Sequence, residues 1–157
     1  MKTLSRSLAL PLLFAVFACH AADGAYNEAA DARLEISQAL AQAAKEGVPV
    51  LVVFGANWCG DCKLLDMAFK QGTSAPFIAR EFKVVKVDVG RFNRNVDIAE
   101  SYGVPLKKGI PAVAILSPAN KVLYVTKAGE LAEAGSMGDR GILEFFRRVT
   151  PSRKVTS

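Results

Sequence analysis

Residues 48–54 form a nearly unbroken apolar run rich in β-branched side chains, and shortly after it the chain reads Trp58-Cys59-Gly60-Asp61-Cys62-Lys63 before turning helix-like. Such a run suits a strand buried on both faces. Two thiols separated by two residues close into a small disulfide ring and open again, so the pair carries two electrons. The spacing puts both sulfurs on the first turn of a helix, where they differ in exposure. Cys59, at or near the helix N-terminus, meets unpaired backbone N–H groups and the positive end of the helix dipole. That setting lowers a cysteine from about 8.5 to between about 3.5 and 7.5. Cys59 is therefore the expected nucleophile, and Cys62, one turn further in, the expected resolver. Gly60 lets the chain turn beside a docked backbone. Asp61 favours the helix start but opposes a thiolate on Cys59.

Other readings of a CxxC are weaker here. A structural zinc needs four ligands, and the chain has three cysteines and one histidine. The two remaining candidates, Cys19 and His20, fall in an N-terminal segment that carries processing signals. A purely structural bridge is disfavoured as well, because a bond across two residues closes a tiny loop and removes little unfolded-state entropy.

Lys2 and Arg6 precede an apolar run at residues 8–18, followed by small residues around Ala21 and Ala22. This is the order of a secretory signal peptide. The run is 11 residues long, short of the roughly 20 that a spanning helix requires. Residues 1–21 are therefore expected to be an export leader cleaved after Ala21, which leaves Cys59 and Cys62 as an even pair. Val16-Phe17-Ala18-Cys19 also resembles a bacterial lipoprotein box, with Phe17 departing from the smaller residue that pattern prefers. Lipidation at Cys19 is the second processing route. Either route puts the dithiol outside the cytoplasm, with the bacterial periplasm favoured. Loss of Lys2 and Arg6 lowers the net charge from +5 to +3. Arg147, Arg148, Arg153 and Lys154 gather near the C-terminus without an interleaved aromatic platform, which argues against nucleic acid as a partner. A hydrophobic fraction of 51% suffices for one compact core.

Periodicity then places the elements. Leu34, Leu40, Ala41 and Ala44 predict an amphipathic helix over 26–46, closed by Gly47. After the 48–54 strand, the CxxC helix is expected over 59–70 with Leu64, Leu65, Ala68 and Phe69 inward, and a short helix over 75–81. Residues 82–89 alternate as a strand, with Val85 and Val87 on one face and Val84 and Lys86 on the other. A helix over 96–102 stops at Gly103. Strands over 112–116 and 121–126 are joined by Ser117-Pro118-Ala119-Asn120, a hairpin-length connection. A helix over 139–149 turns Ile142, Leu143, Phe145 and Phe146 inward. Strands linked through helices should pair in parallel and the last two antiparallel, which gives an α/β four-stranded mixed sheet flanked by helices on both faces. The expected organisation is a leader at 1–21, a helical extension with the first helix at 22–47, one domain at 48–150 and a polar tail at 151–157.

Three features together resemble the thioredoxin superfamily, in particular its small exported thioredoxin-like and disulfide-isomerase-like members. They are Phe54-Gly55-Ala56-Asn57-Trp58-Cys59-Gly60-Asp61-Cys62-Lys63 after a buried strand, Val87-Asp88-Val89 at the end of the next, and Gly109-Ile110-Pro111-Ala112 entering the third. The resemblance covers residues 48–149 and implies a thioredoxin fold with an extra N-terminal helix. It also implies a cis bond before Pro111 facing the CxxC. An X–Pro bond is the peptide link that adopts cis cheaply, and an extended client segment would pair with the backbone of Ile110. Trp58, Gly60, Asp61, Ile110 and Pro111 are thus the expected client-binding residues. One departure stands out. Thioredoxins usually carry a buried carboxylate six residues before the first cysteine, and this chain has Val53 there. Either Asp61, Asp66, Lys63 or water replaces that proton route, or resolution by Cys62 is slower than in cytosolic thioredoxins. The connection 127–138, with Gly129, Gly135 and Gly138, is longer than a minimal thioredoxin needs.

The function expected is thiol–disulfide exchange on exported proteins, in the reductase or isomerase direction. The Cys59–Cys62 disulfide is the redox group, and no cofactor or metal is expected. Partners are client proteins with disulfides or thiols, together with a membrane redox partner for rereduction; nothing in the sequence specifies an oligomeric state. The rival is a noncatalytic module using the same thiols, either a chaperone for a soft ion such as copper(I) or a redox-gated binding protein. Against it, the methionines are Met1, Met67 and Met137, with no methionine-rich tract.

Overall fold

The computed structural model describes residues 24–151; the expected leader, Cys19, His20 and residues 152–157 of the expected tail lie outside the described residues. Helix α1 (Ala32–Glu46) starts where Asp31 accepts hydrogen bonds from the N–H groups of Arg33 and Leu34, and it ends at Gly47, whose φ of 67° terminates the helix. A cap of this kind contributes about 1 kcal/mol. The helix starts later than its spacing suggests, because Tyr26 is buried and its backbone is bonded to Asn57 rather than to a helical turn. Its buried face is Ala32, Ile36, Ala39 and Ala43, not the expected one: Leu34, Ala41 and Ala44 are exposed and Leu40 half-buried. With alanines on every side, the apolar stripe is nearly featureless, and packing of the larger Ile36 sets the rotation.

Strand β1 (Val50–Gly55) is buried along its whole length. Its alternate residues feed two cores. Val50, Val52 and Phe54 pack with Ile36, Ala39 and Ala43 of α1 and with Ile98. Leu51 and Val53 pack with Leu65, Ile78, Ile142, Phe145 and Phe146. Helices α2 (Gly60–Gln71), α3 (Ala75–Glu81) and α5 (Ala134–Val149) cover this second face, while α1 and α4 (Val96–Ser101) cover the first. Strand β2 (Lys83–Asp88) is parallel to β1, and β3 (Ala112–Leu116) is antiparallel to β1 and to β4 (Val122–Val125). The sheet order is β2-β1-β3-β4, so the fold is the expected four-stranded mixed sheet with helices on both faces.

Two details of helix packing differ from the periodic reading. Leu64 on α2 is 43% exposed, and Asp66 takes a buried place on that helix because Lys70 and Lys86 neutralise it. Leu143 on α5 is half-buried. Helix α5 also gains a turn ahead of residue 139, set off by a kink at Gly138, where φ is 64°. Among the described residues no helix is long and apolar enough to cross a membrane.

The sheet register brings the site together. Gly55 at the end of β1 pairs with Asp88 at the end of β2, and Phe54 pairs with Ala112 at the start of β3. The loops that carry Cys59, Gly90 and Pro111 therefore leave the sheet at the same edge.

Candidate active site

Cys59 is the N-cap of α2, and its sulfur accepts the N–H of Cys62 at 3.1 Å. The two cysteines form a disulfide with a Cα–Cα distance of 5.2 Å. Both are largely covered, Cys59 at 6% exposure and Cys62 at 0%. The difference has the expected sign but is small, since the Cys59 sulfur lies 3.5 Å from the carbonyl oxygen of Ile110 and shares an apolar cluster with Ile110 and Ala112. The Ile110–Pro111 peptide bond is cis, and both residues are buried beside the disulfide.

The other sequence-derived residues divide. Trp58 is 48% exposed, and its indole N–H donates to the Gly90 carbonyl at 2.8 Å. That bond fixes an amphipathic ring at the rim, one residue from Cys59. Gly60 is exposed, and a Cβ there would meet nothing within 4 Å, so among the described residues no neighbour requires a glycine. Asp61 is committed within the chain: it accepts the N–H of Gly135 at 2.8 Å and ties the first turn of α5 to the CxxC helix.

Four further residues complete the site, and the sequence carried little signal for them. Phe92 packs edge-on against Trp58 and Arg91 lies over the same indole, 5.7 Å from its centroid. An apolar groove of about 540 Å³ extends from Phe92 to Gly109, lined also by Val96, Val104 and Leu106. Asn57 accepts the Tyr26 N–H at 2.9 Å and donates to the Tyr26 carbonyl at 2.8 Å, so it clamps the segment before α1 against the CxxC loop. Tyr26 itself is 2% exposed. Its hydroxyl is held above the ordinary phenol range, first by burial and then by the carboxylates of Asp66 and Asp88.

Asp66 sits one turn beyond Cys62. Burial pushes its carboxyl up, but hydrogen bonds and charges from Lys70 and Lys86 outweigh that and hold it below the usual carboxylate range. It is therefore an ionised, engaged group and a poor proton acceptor. Val53 packs in the α2–α3–α5 core, whereas Cys62 packs in the other one. Among the described residues no group of three or more His, Cys, Asp and Glu side chains is placed to hold a metal ion.

Residues 31–118 match the thioredoxin-like family. The chain belongs to that family. A solved disulphide isomerase from Xylella fastidiosa Temecula1 is 45% identical and superposes with a TM-score of 0.79, covering 83% of this chain and 100% of its own. A thioredoxin from Pseudomonas aeruginosa is 31% identical over 90 residues, 55% of this chain and 70% of that protein. Thioredoxin 1 from a Nostoc species is 34% identical over 85 residues, 52% of this chain and 68% of its own. With its CxxC pair, this thioredoxin-like protein is a thiol–disulfide oxidoreductase.

Proposed function

We propose that this thioredoxin-like protein reduces or isomerises disulfides of exported proteins, with Cys59 as the attacking thiolate and Cys62 as the resolving thiol. The observation that carries the assignment is the placement of the Cys59 sulfur. It caps α2, takes the Cys62 N–H and sits at the Ile110 carbonyl, one residue after the exposed Trp58 against which Phe92 packs. Cys62 is sealed beneath it. The reduced Cys59 thiolate attacks one sulfur of a client disulfide, forms a Cys59–client bond and releases the other client sulfur as a thiolate. Cys62 then loses its proton and attacks Cys59, so the Cys59–Cys62 bond forms and the second client thiolate leaves. Two electrons pass to the client. The exposed, sterically open Gly60 and the backbone of Ile110, held by the cis bond to Pro111, would flank the path of an extended client segment.

The disulphide isomerase similarity supports the isomerase or reductase direction. The leader-like residues 1–21 support the bacterial periplasm as the working compartment, with lipid attachment at Cys19 as the alternative end state. In that oxidising compartment turnover as a reductase calls for a membrane redox partner that returns the pair to the dithiol. Domain organisation follows the same reading: a removable leader, then residues 22–47 and 48–150 as the helical extension and catalytic domain, then the tail.

The deciding test is trapping. Cys62→Ser protein incubated with an oxidised client should accumulate mixed disulfides through Cys59 on nonreducing gels, and Cys59→Ser should abolish insulin reduction. Absence of trapped species, with tight stoichiometric copper(I) binding by the wild type, would replace this reading with the soft-metal chaperone.

A further inference from the structure

Tyr26 enters the site from outside the CxxC loop and ends beside the buried sulfur. Both its backbone polar groups are taken by the Asn57 side chain, which fixes where the ring begins. The ring then runs under the end of β1 at Gly55. A methyl group on Gly55 would come within 3.0 Å of both the Tyr26 hydroxyl and the Cys62 sulfur. The two atoms are therefore no more than about 5 Å apart, in a space that exists because position 55 carries no side chain.

Cys62 is fully buried, and a thiolate there is costly unless a donor meets it. Among the described residues the ionised groups nearby do not provide one. Asp66 is a carboxylate bonded to Lys70 and Lys86, and its charge opposes a second anion. Asp88, at the end of β2, is paired with Arg94 at 3.2 Å. Asp61 is spent on Gly135, Lys63 is exposed and β1 presents Gly55. The hydroxyl of Tyr26 shares the space beside Gly55 with the sulfur, no more than about 5 Å from it, and burial and those two carboxylates hold it above the ordinary phenol range, so it is available as a donor and not as a base.

We infer that Tyr26 is the positioning residue for the resolving thiol: its O–H donates to the Cys62 sulfur when that sulfur is a thiolate. The inference rests on Cys62 being the resolver. In that step the Cys62 proton passes to solvent and Tyr26 keeps its own. The thiolate attacks the Cys59 sulfur, the Cys59–Cys62 bond forms, and the client sulfur leaves with the electron pair of the broken bond. Tyr26 stabilises the attacking charge without changing any bond.

The test uses the full chain carrying Cys59→Ser, so that Cys62 is a free thiol, with and without Tyr26→Phe. The Cβ carbon resonance of Cys62 is followed against pH. Tyr26→Phe should move the Cys62 titration upward by about one pH unit and, in the parent protein, slow resolution of a preformed Cys59–client disulfide roughly tenfold at neutral pH. In Cys59→Ser with Tyr26 intact, the ring carbon bearing the hydroxyl should follow the same titration, a readout that does not depend on the Phe variant folding. Superimposable Cys62 curves, or a Tyr26 resonance indifferent to Cys62 ionisation, overturns the inference. Failure of Cys62→Ser to trap clients would instead overturn the resolver assignment, and the two results are independent.

Discussion

Trp58, the residue before Cys59, and Phe92 meet edge to face, their ring centroids 6.1 Å apart, and each stays about half exposed. Phe92 adopts this place with a φ of 62°, in the left-handed region that a bulky side chain occupies at a cost of about 1 kcal/mol. An aromatic ring held in water on an unfavourable backbone contributes little to folding, and under the proposed function it is a contact for clients. Phe92→Gly should leave the thermal midpoint unchanged or raise it, while lowering kcat/KM for an apolar disulfide peptide about three- to tenfold. Trp58→Ala should lower it further. Unchanged turnover in both variants would make the pair a packing feature only.

The redox pair and the element order were legible because each is encoded within a few residues: an apolar run, a CxxC, a glycine stop, a hairpin-length connection; the cis bond before Pro111 was implied by the resemblance to the thioredoxin superfamily and is present in the structure. The strand over 112–116 and the helix over 75–81 have the same limits in the sequence reading and in the structure. What escaped depends on partners far along the chain. Tyr26 and Asn57 are 31 residues apart, and Asp61 and Gly135 are 74 apart. Periodicity says nothing about such contacts. It also misplaced the buried face of α1, where small side chains leave the rotation to tertiary packing, and it counted Leu64 as core although that side chain reaches outward over Gly135.

The triad of Asp66 with Lys70 and Lys86 links stability to acid. The Asp66 carboxyl is depressed in the folded protein, since the lysine hydrogen bonds and charges outweigh the burial that would raise it. The unfolded chain then binds more protons than the folded one at low pH, so the contribution is complete above the unfolded value near pH 4 and is lost as pH falls through the folded one. Lys70 is exposed and Lys86 partly so, which keeps the contribution modest. Asp66→Asn should cost about 1–2 kcal/mol near pH 7, and the gap to wild type should narrow below about pH 4. Urea denaturation across that range measures it. A gap independent of pH would mean that the amide perturbs packing and that the charge contributes nothing.

Gly55 and Tyr26 fill one space between them, and that interdependence is measurable as a coupling. A Cβ at position 55 would overlap the Tyr26 hydroxyl and the Cys62 sulfur, and neither neighbour has room to withdraw, since both are buried. Gly55→Ala alone should destabilise by about 1–3 kcal/mol through overpacking. Tyr26→Ala alone should cost about 3–5 kcal/mol through the cavity left beneath the CxxC loop. In the double variant the methyl group occupies part of that cavity, so the combined loss should fall short of the sum by at least about 1 kcal/mol. Strict additivity would show that the ring and the glycine do not share the space, and would remove the structural basis for placing the Tyr26 hydroxyl against Cys62.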